Sequence, residues 1–397
     1  MGLGSIIGTG IFVSVGAAAG IAGPWVLVAV ALAAGVAACN GLSSAPLAAA
    51  HPVSGGTYEY GYHYATPTVG FVAGVTFVAA KTASAATAAL GCAAYALALA
   101  GVSSRSAQIG LAVAIVVTLT LLVAGGISRS SRVNAAIIAI TIVGLVAFVV
   151  VGLPHVDATN LALGDAAFDG RSLLRATALM FVAYTGYGRI ATLGEEVREP
   201  RKTIPRAIVL ALAIALVLYV SVTAVAVGVA GAAGLAGPAP LEVIGASLSS
   251  PLRYVVAIAA ITAMLGVILN LVLGISRVVL AMARRGDLPA TLAHVDRGSP
   301  RRAVLATGAV IAALALIGSV KTTWSFSAFA VLVYYAIANA CALRQPADER
   351  RFPRIVPIAG LVACAGLAWW VEPRIWLVGV GVIVVALALR ALVRRTT

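Results

Sequence analysis

Two glycine-rich stretches are the parts of this sequence whose residue types and spacing could do chemistry. The first runs from Gly4 to Phe12 and the second from Phe181 to Arg189, each inside an apolar segment. Glycine costs about 1 kcal/mol relative to alanine inside a helix, so both stretches favour an interrupted helix. An interruption exposes backbone N–H groups that attract an anion and C=O groups that attract a cation. The competing interpretation is close helix packing through small residues.

The composition of the 397-residue chain indicates its environment. Hydrophobic residues make up 61% of the sequence and charged residues 10%, whereas a soluble domain carries roughly 25% charged residues. The chain is therefore predicted to lie in a lipid bilayer. Because the alternating pattern of a membrane β-barrel is absent, helices are the remaining way to satisfy the backbone in lipid. The predicted fold class is an all-α integral membrane protein.

No sequence pattern indicates catalysis, a metal or a cofactor. The chain has no GxSxG, HExxH or Walker sequence, and its glycines are not a dinucleotide-binding fingerprint because no βαβ unit surrounds them. Its four cysteines lie in apolar runs without CxxC spacing, so neither a disulfide nor a metal site is predicted. We expect a protein that is not an enzyme and that binds no cofactor.

Twelve apolar segments come close to the roughly 20 residues that a membrane-spanning helix needs. They cover residues 3–20, 25–50, 70–99, 108–125, 133–152, 173–192, 205–230, 252–281, 303–320, 323–343, 356–371 and 375–393. The twelve segments together predict twelve transmembrane helices.

The positions of the two interruptions predict an internal repeat. They fall in segments one and six, so each opens a block of five segments, and the second block enters the membrane from the opposite side. This predicts two inverted five-helix repeats, residues 1–172 and 173–343, followed by two additional helices in 344–397. Interrupted segments at matching repeat positions are typical of a transporter binding site.

The Lys and Arg residues predict the orientation of the chain. With the N-terminus in the cytoplasm, 20 of the 27 Lys and Arg residues fall on the inner side, six fall on the outer side, and Lys81 lies within a span. Cytoplasmic loops of membrane proteins carry such an excess. We therefore expect a multi-pass protein of the cell (plasma) membrane with both termini cytoplasmic. The same asymmetry explains the net charge of +14 without a nucleic-acid partner.

Three motifs resemble those of the amino acid–polyamine–organocation (APC) superfamily of permeases. Residues 4–12 resemble its first-helix signature, residues 181–187 and 195–208 are similar to its sixth helix and the following loop, and residues 276–289 look like the end of its eighth helix. The motifs occur in the family's order and spacing, and the resemblance covers essentially the whole chain. It implies a transporter fold with interrupted helices 1 and 6, like that of the neurotransmitter symporters, acting on amino acids or related amines.

The chain departs from this family pattern in two places. Members usually carry a dozen or more residues before the first-helix motif, whereas Met1 lies three residues before Gly4, so part of the first interrupted helix is expected to be missing. Many sodium-independent members also carry a lysine in the fifth helix. Aligning residues 131–133 with the start of that helix places Thr141 at the lysine position, which puts coupling by a fifth-helix lysine in doubt.

The two interruptions supply complementary halves of a site for an α-amino acid. The first is predicted to bind the carboxylate through its backbone, and the second is predicted to bind the ammonium group. The carboxylate candidates are Ile7, Gly8, Thr9 and Gly10, and the ammonium candidates are Val182, Ala183, Tyr184, Thr185 and Gly186. The resemblance implies the same assignment.

Lys81 is the ionisable residue that is predicted to lie deepest in a span. It is 11 residues into the third segment, roughly 16 Å from its start at 1.5 Å per residue. Because a charge in the membrane is costly, such a residue is a functional candidate. We predict that Lys81 binds and releases a coupling proton, with Thr141 as a second ion-coupling candidate. The alternative is a lysine whose ammonium group extends to the interface.

A mixed-charge loop after the sixth segment is predicted to latch the inner gate. Its candidate ion-pairing residues are Glu195, Glu196, Arg198 and Arg201. Five aromatic residues, Trp324, Phe326, Phe329, Tyr334 and Tyr335, lie in the tenth segment. We favour an interfacial aromatic belt for them over a role in the outer gate.

The sequence thus predicts a secondary transporter of amino acids or related amines that works by alternating access. Proton symport or exchange is favoured over sodium coupling, so the predicted partners are an amino acid, protons and the lipid bilayer, and the sequence does not indicate a protein partner. Two alternatives stay open. A degenerate, amino-acid-sensing paralogue would bind a substrate without moving it, and an ion channel would need charged rings or filter carbonyls.

Overall fold

The computed structural model describes residues 3–51, 55–126, 131–163, 168–188, 199–237, 239–296 and 299–396. Those residues form helices and connecting turns, with one isolated β-bridge between Asp296 and Ser299 and no strand among them. The all-α prediction is confirmed for the described part of the chain.

The helices follow one another in the order that the apolar segments predict. They are α1 (Leu3–Ile6), a π-helical turn (Gly10–Ser14), α2 (Val15–Ala22), α3 (Val26–Ala50), α4 (Thr57–Tyr64), α5 (Pro67–Leu99), α6 (Arg105–Ala124), α7 (Ser131–Gly152), α8 (Gly170–Tyr184), α9 (Pro200–Gly234), α10 (Pro240–Leu248), α11 (Ser250–Arg284), α12 (Arg301–Leu316), α13 (Val320–Arg344), α14 (Ile355–Trp369) and α15 (Pro373–Thr396). Two short helices, α4 and α10, lie between the predicted spans.

Eight helical stretches of the described residues are long and apolar enough to cross a membrane. They are Gly10–Ala50, Pro67–Leu99, Arg105–Ala124, Arg132–His155, Lys202–Gly234, Ser250–Arg284, Val320–Arg344 and Pro373–Leu392. Three further predicted segments coincide with the shorter helices α8, α12 and α14, of 15, 16 and 15 residues. The count of twelve spans therefore stays a prediction.

Helix α5 occupies the middle of the bundle, where it packs against α6, α11, α12 and α13. Helices at matching positions of the two predicted repeats also contact each other: α2 packs on α8, α3 on α9, α5 on α11 and α6 on α12. These contacts agree with the predicted inverted repeat, whose layout remains a prediction. Large apolar side chains face outward from the bundle, as a lipid environment requires.

Each ion pair recorded between the described residues joins two groups that the sequence assigns to the same side of the membrane. On the predicted outer side, Arg175 and Lys321 pair with Glu372, and Arg253 pairs with Glu242. On the predicted inner side, Arg285 pairs with Glu59, and Arg390 pairs with Asp287. The charge-based orientation is thus consistent with the packing of the chain.

Candidate functional site

The first interruption lies where the glycine pattern predicts it. Helix α1 ends at Ile6, and the helix resumes as a π-helical turn at Gly10. At the start of the resumed helix, the backbone N–H of Ile11 donates to the carbonyl of Gly8 at 3.1 Å. Close packing requires glycine here, because a Cβ on Gly8 would lie 2.5 Å from a methyl group of Val267 on α11.

The second interruption follows α8. The α-helix ends at Tyr184 and a 3₁₀ turn covers Thr185–Tyr187. The hydroxyl of Thr185 donates to the carbonyl of Val182 at 2.8 Å, and its backbone N–H bonds to the same carbonyl. Threonine therefore closes the end of the helix with both of its donors.

Tyr219 of α9 holds the two interruptions together. Its buried hydroxyl lies 2.7 Å from the carbonyl oxygen of Ile6 and 3.1 Å from that of Ala183. Gly10 packs against Ala183 and Tyr219. A Cβ added to Gly10 would lie 2.8 Å from the Cα of Ala183 and 2.9 Å from the Tyr219 hydroxyl. The helix that resumes at Gly10 is therefore in direct contact with the end of α8, and Tyr219 bridges that end to Ile6.

A cavity lies beside this contact, between the interruptions and helices α5, α11 and α13. The space that no atom fills is about 1130 Å³, and this volume includes solvent at the open mouth of the cavity. Six of the nine predicted binding residues line it, namely Thr9, Gly10, Val182, Ala183, Thr185 and Gly186. The other three, Ile7, Gly8 and Tyr184, are buried behind the lining, and the Tyr184 hydroxyl donates instead to the carbonyl of Val30 on α3 at 3.3 Å.

One polar atom of the lining has no partner among the described residues. The hydroxyl of Thr9 is buried and makes no hydrogen bond. An unsatisfied buried polar group costs free energy, about 1–3 kcal/mol, so a ligand that bonds to it would recover that cost. The backbone N–H groups of Ile11 and Phe12 already donate to the carbonyl of Gly8, so a carboxylate bound to them would replace those bonds.

The two ion-coupling candidates occupy different environments. Lys81 lines the cavity, and its ammonium donates to the hydroxyl of Thr185 at 3.0 Å. Thr141 is buried in α7 and donates to the carbonyl of Ile137 at 2.7 Å. Thr141 is not among the described residues that line the cavity.

The preference for an aromatic belt in the tenth segment was wrong for most of its residues. Trp324, Tyr334 and Tyr335 are buried and line the cavity from α13, and Phe329 is buried as well. The indole N–H of Trp324 donates to the carbonyl of Leu179 on α8 at 3.0 Å. Trp324 and Tyr335 are 11 residues apart, close to three helical turns, which was the available signal, but an interfacial belt can show the same residue types.

Residues of α11 were not predicted as part of the site. Val267, Asn270 and Arg277 line the cavity from this helix. Their segment carries no unusual glycine or charge pattern in its middle, so its packing against the first interruption was not visible in the sequence.

The predicted inner latch lies mostly outside the described residues. This applies to Glu195, Glu196 and Arg198, while Arg201 lies in α9 without a described side chain. A different polar cluster occupies this end of the bundle. The carboxylate of Asp287 accepts hydrogen bonds from Tyr58 at 2.9 Å, from Tyr62, and from Arg390 at 2.8 Å.

This Asp287 cluster joins three parts of the chain. Tyr58 and Tyr62 belong to α4, Arg390 belongs to α15, and Asp287 follows Gly286, whose φ of +72° ends α11. Burial, together with the Asp287 carboxylate, raises the pKa of Tyr58 and of Tyr62, so both phenols remain protonated donors. The end of the eighth-helix motif thus anchors the C-terminal helix.

We predict that Asp287→Asn destabilises the protein by about 3–5 kcal/mol, the usual cost of breaking a buried ion pair by removing one partner. The side chains of Asp287 and Arg390 are 0% and 6% exposed, so the guanidinium would remain buried without its counter-charge. Thermal unfolding of detergent-purified protein measures the effect. Asp296→Asn is the matched control, because Asp296 forms an exposed pair with His294. Equal melting temperatures for the two variants would contradict the prediction.

A stacked histidine pair lies at the junction of α3 and α4. The rings of His51 and His63 are 4.6 Å apart and nearly parallel. Burial, and then the charge of His63, lowers the pKa of His51 below 6.5, opposed by Glu59 and Glu349 and supported by Arg285. A lowered pKa in the folded state means that stability is fully present above about pH 6.5 and is lost as the pH falls through the pKa of the folded protein.

His63→Asn is therefore expected to make this loss of stability shallower between pH 6.5 and pH 5. The variant removes one of the two main contributions that keep His51 neutral, so the pKa of His51 moves back towards 6.5. Melting temperatures recorded across this pH range test the expectation. His155→Asn serves as control, because His155 is exposed on the other side of the bundle. Superimposable pH profiles for His63→Asn and the wild type would refute it.

Comparison with known proteins agrees with this architecture. The sequence model of a family described as amino acid permease matches residues 1–393. An uncharacterized transporter of Mycobacterium tuberculosis is 44% identical over 376 residues, which cover 93% of this chain and 83% of the relative. A methylthioribose transporter of Bacillus subtilis is 28% identical, covering 93% and 85% of the two chains. The branched-chain amino acid permease BcaP of the same organism is 27% identical, covering 93% and 83%.

The protein is a bundle of apolar helices, and two interrupted helices border its central cavity. This architecture defines a multi-pass membrane transporter. The chain belongs to the amino acid permease family, within the APC superfamily. Its function is therefore membrane transport of amino acids or related substrates.

Proposed function

We propose that this protein is a secondary active transporter that moves amino acids by alternating access, with proton symport or exchange as its mode. The observation that carries the proposal is the direct contact of the two interrupted helices at the cavity, where Tyr219 bonds to Ile6 and Ala183. The first interruption supplies donors for the substrate carboxylate, including the unpartnered hydroxyl of Thr9. Carbonyl groups at the end of α8 are assigned to the ammonium group, whereas the hydroxyl of Thr185 already accepts a bond from Lys81.

The packing around the cavity supports a conformation that faces inward. The lining extends to Gly55, Gly188 and Arg277, towards the end of the bundle that carries most of the Lys and Arg residues. Opposite that end, α5 and α13 are joined by a hydrogen bond between the hydroxyls of Thr87 and Thr323 at 2.7 Å. For the cavity to open to the outside, such bonds between α5 and α13 would have to break. Alternating access requires a rearrangement of this kind.

The outer side carries its own pocket, lined by Gly16, Gln108 and Lys321 among others. Phe12 and Tyr95 are buried, and the Tyr95 hydroxyl donates to the carbonyl of Phe12 at 2.8 Å. We propose that Phe12, Tyr95 and Trp324 form the closed outer gate between this pocket and the central cavity. The twelve-span topology, the two inverted repeats and the cytoplasmic termini are part of the same proposal.

Counterflow of labelled amino acids into liposomes tests the proposed function. Vesicles containing the purified protein are loaded with an unlabelled amino acid, and uptake of the same labelled compound is followed for a panel of the twenty amino acids. A transporter working by alternating access shows transient accumulation of label. Equilibration without accumulation would indicate a channel, and binding without uptake would indicate a sensor.

A further inference from the structure

Lys81 offers more hydrogen-bonding capacity than the described residues use. Its ammonium group has three N–H donors, and one of them bonds to the hydroxyl of Thr185. Thr185 in turn donates to the carbonyl of Val182, so the ammonium is fixed at the end of α8. Within the described part of the chain no carboxylate pairs with it, and two N–H groups remain for a ligand in the cavity.

The charged residues of the described lining are Lys81 and Arg277, and both are cations. Arg277 also interacts with another group of the protein, so Lys81 is the cation that remains for a ligand. The other lining side chains are neutral, with Thr9, Asn270 and the aromatic residues of α13 supplying the polar groups. A cationic substrate side chain would meet like charge in a poorly solvated space, whereas an anionic side chain would meet opposite charge.

We propose that Lys81 determines specificity by pairing with the side-chain carboxylate of an acidic amino acid, so that glutamate or aspartate is the preferred substrate class. The inference rests on the proposed function, which assigns the α-carboxylate to the interruption at Thr9 and Gly10. With that carboxylate bound at the first interruption, the ammonium of Lys81 beside the second interruption is left for a second carboxylate. A bond between two charged groups is among the stronger hydrogen bonds.

The pairing also connects specificity with the driving ion. A second carboxylate binds favourably only when Lys81 carries its proton, so an acidic substrate and a proton occupy the cavity together. Release of the carboxylate to the cytoplasm then leaves an unpaired buried ammonium, which favours release of the proton as well. For an acidic amino acid, one residue would therefore both select the substrate and carry the coupled proton.

Counterflow over a range of substrate concentrations measures the preference directly. Labelled glutamate, leucine and arginine are tested separately in liposomes containing the wild type, Lys81→Met or the control Arg302→Met. Arg302 is exposed at the start of α12 and is not among the described residues that line the central cavity or the outer pocket. We expect the wild type and the control to transport glutamate best and arginine at least tenfold less well. In Lys81→Met, the affinity for glutamate should fall tenfold or more while that for leucine changes less than twofold.

The outcomes separate this inference from the proposed function. A wild type that transports leucine or arginine in preference to glutamate would overturn the assignment of Lys81 and leave transport intact. Equal losses for glutamate and leucine in Lys81→Met, in a variant that melts like the wild type, would also overturn it, because Lys81 would then bind the α-carboxylate. Absence of counterflow for every amino acid in the wild type would instead reject the proposed function.

Discussion

Gly10→Leu is expected to abolish substrate binding while the protein still folds. The reason is the contact between the two interruptions: even a Cβ at this position would lie 2.8 Å from the backbone Cα of Ala183, a distance that real side chains do not reach without movement of the chain. A leucine would separate the end of α8 from the first interruption and place its side chain over the backbone donors. Equilibrium binding of labelled amino acid to detergent-purified protein measures the loss.

A graded series makes this expectation sharper. Gly10→Ala adds a single methyl group at the same contact and should weaken binding about tenfold, or about 1.4 kcal/mol. Gly35→Leu is the matched control, because Gly35 is exposed in α3 and a Cβ there meets no atom within 4 Å. Monodisperse elution and a melting temperature near that of the wild type establish that Gly10→Leu is folded. Wild-type affinity in Gly10→Leu would show that the first interruption does not bind the carboxylate.

The location of the interruptions could be predicted because it depends on local sequence. Gly8 and Gly10 lie in an apolar segment, where glycine lowers helix stability, and the structure ends α1 at Ile6 and resumes the helix at Gly10. Thr185 and Gly186 mark the end of α8 in the same way. The depth of Lys81 could be predicted from the 1.5 Å rise of a helix, and the residue does line the cavity.

The partners of these residues could not be predicted, because they come from distant parts of the chain. Tyr219 is 213 residues from Ile6 in sequence, and nothing in the apolar pattern of α9 distinguishes it from a lipid-facing tyrosine. The aromatic residues of α13 were assigned to the interface for the same reason. Which face of a fully apolar helix points inward depends on its neighbours, and periodicity carries little information when both faces are apolar.

Lys81→Met is expected to retain exchange of a neutral amino acid but to lose accumulation driven by a pH gradient. Lys81 is the described ionisable group deep in the cavity, and its ammonium is bonded to Thr185 at the end of α8. Gain or loss of the proton changes this bond, so protonation can bias the interrupted helix between its two arrangements. Methionine has a similar length and no charge, which removes the proton site while filling the same space.

Proteoliposomes with an imposed gradient, acidic outside, measure the coupling. The substrate is the neutral amino acid that shows the strongest counterflow, so that pairing of a side-chain carboxylate with Lys81 plays no part. One pH unit is worth about 1.4 kcal/mol, or roughly tenfold accumulation for one proton per substrate. The wild type and the surface control Arg302→Met should approach this ratio, and Lys81→Met should stay near equilibrium while its counterflow persists. Accumulation that still follows the pH gradient in Lys81→Met, or that requires sodium in the wild type, would mean that Lys81 does not couple transport to protons.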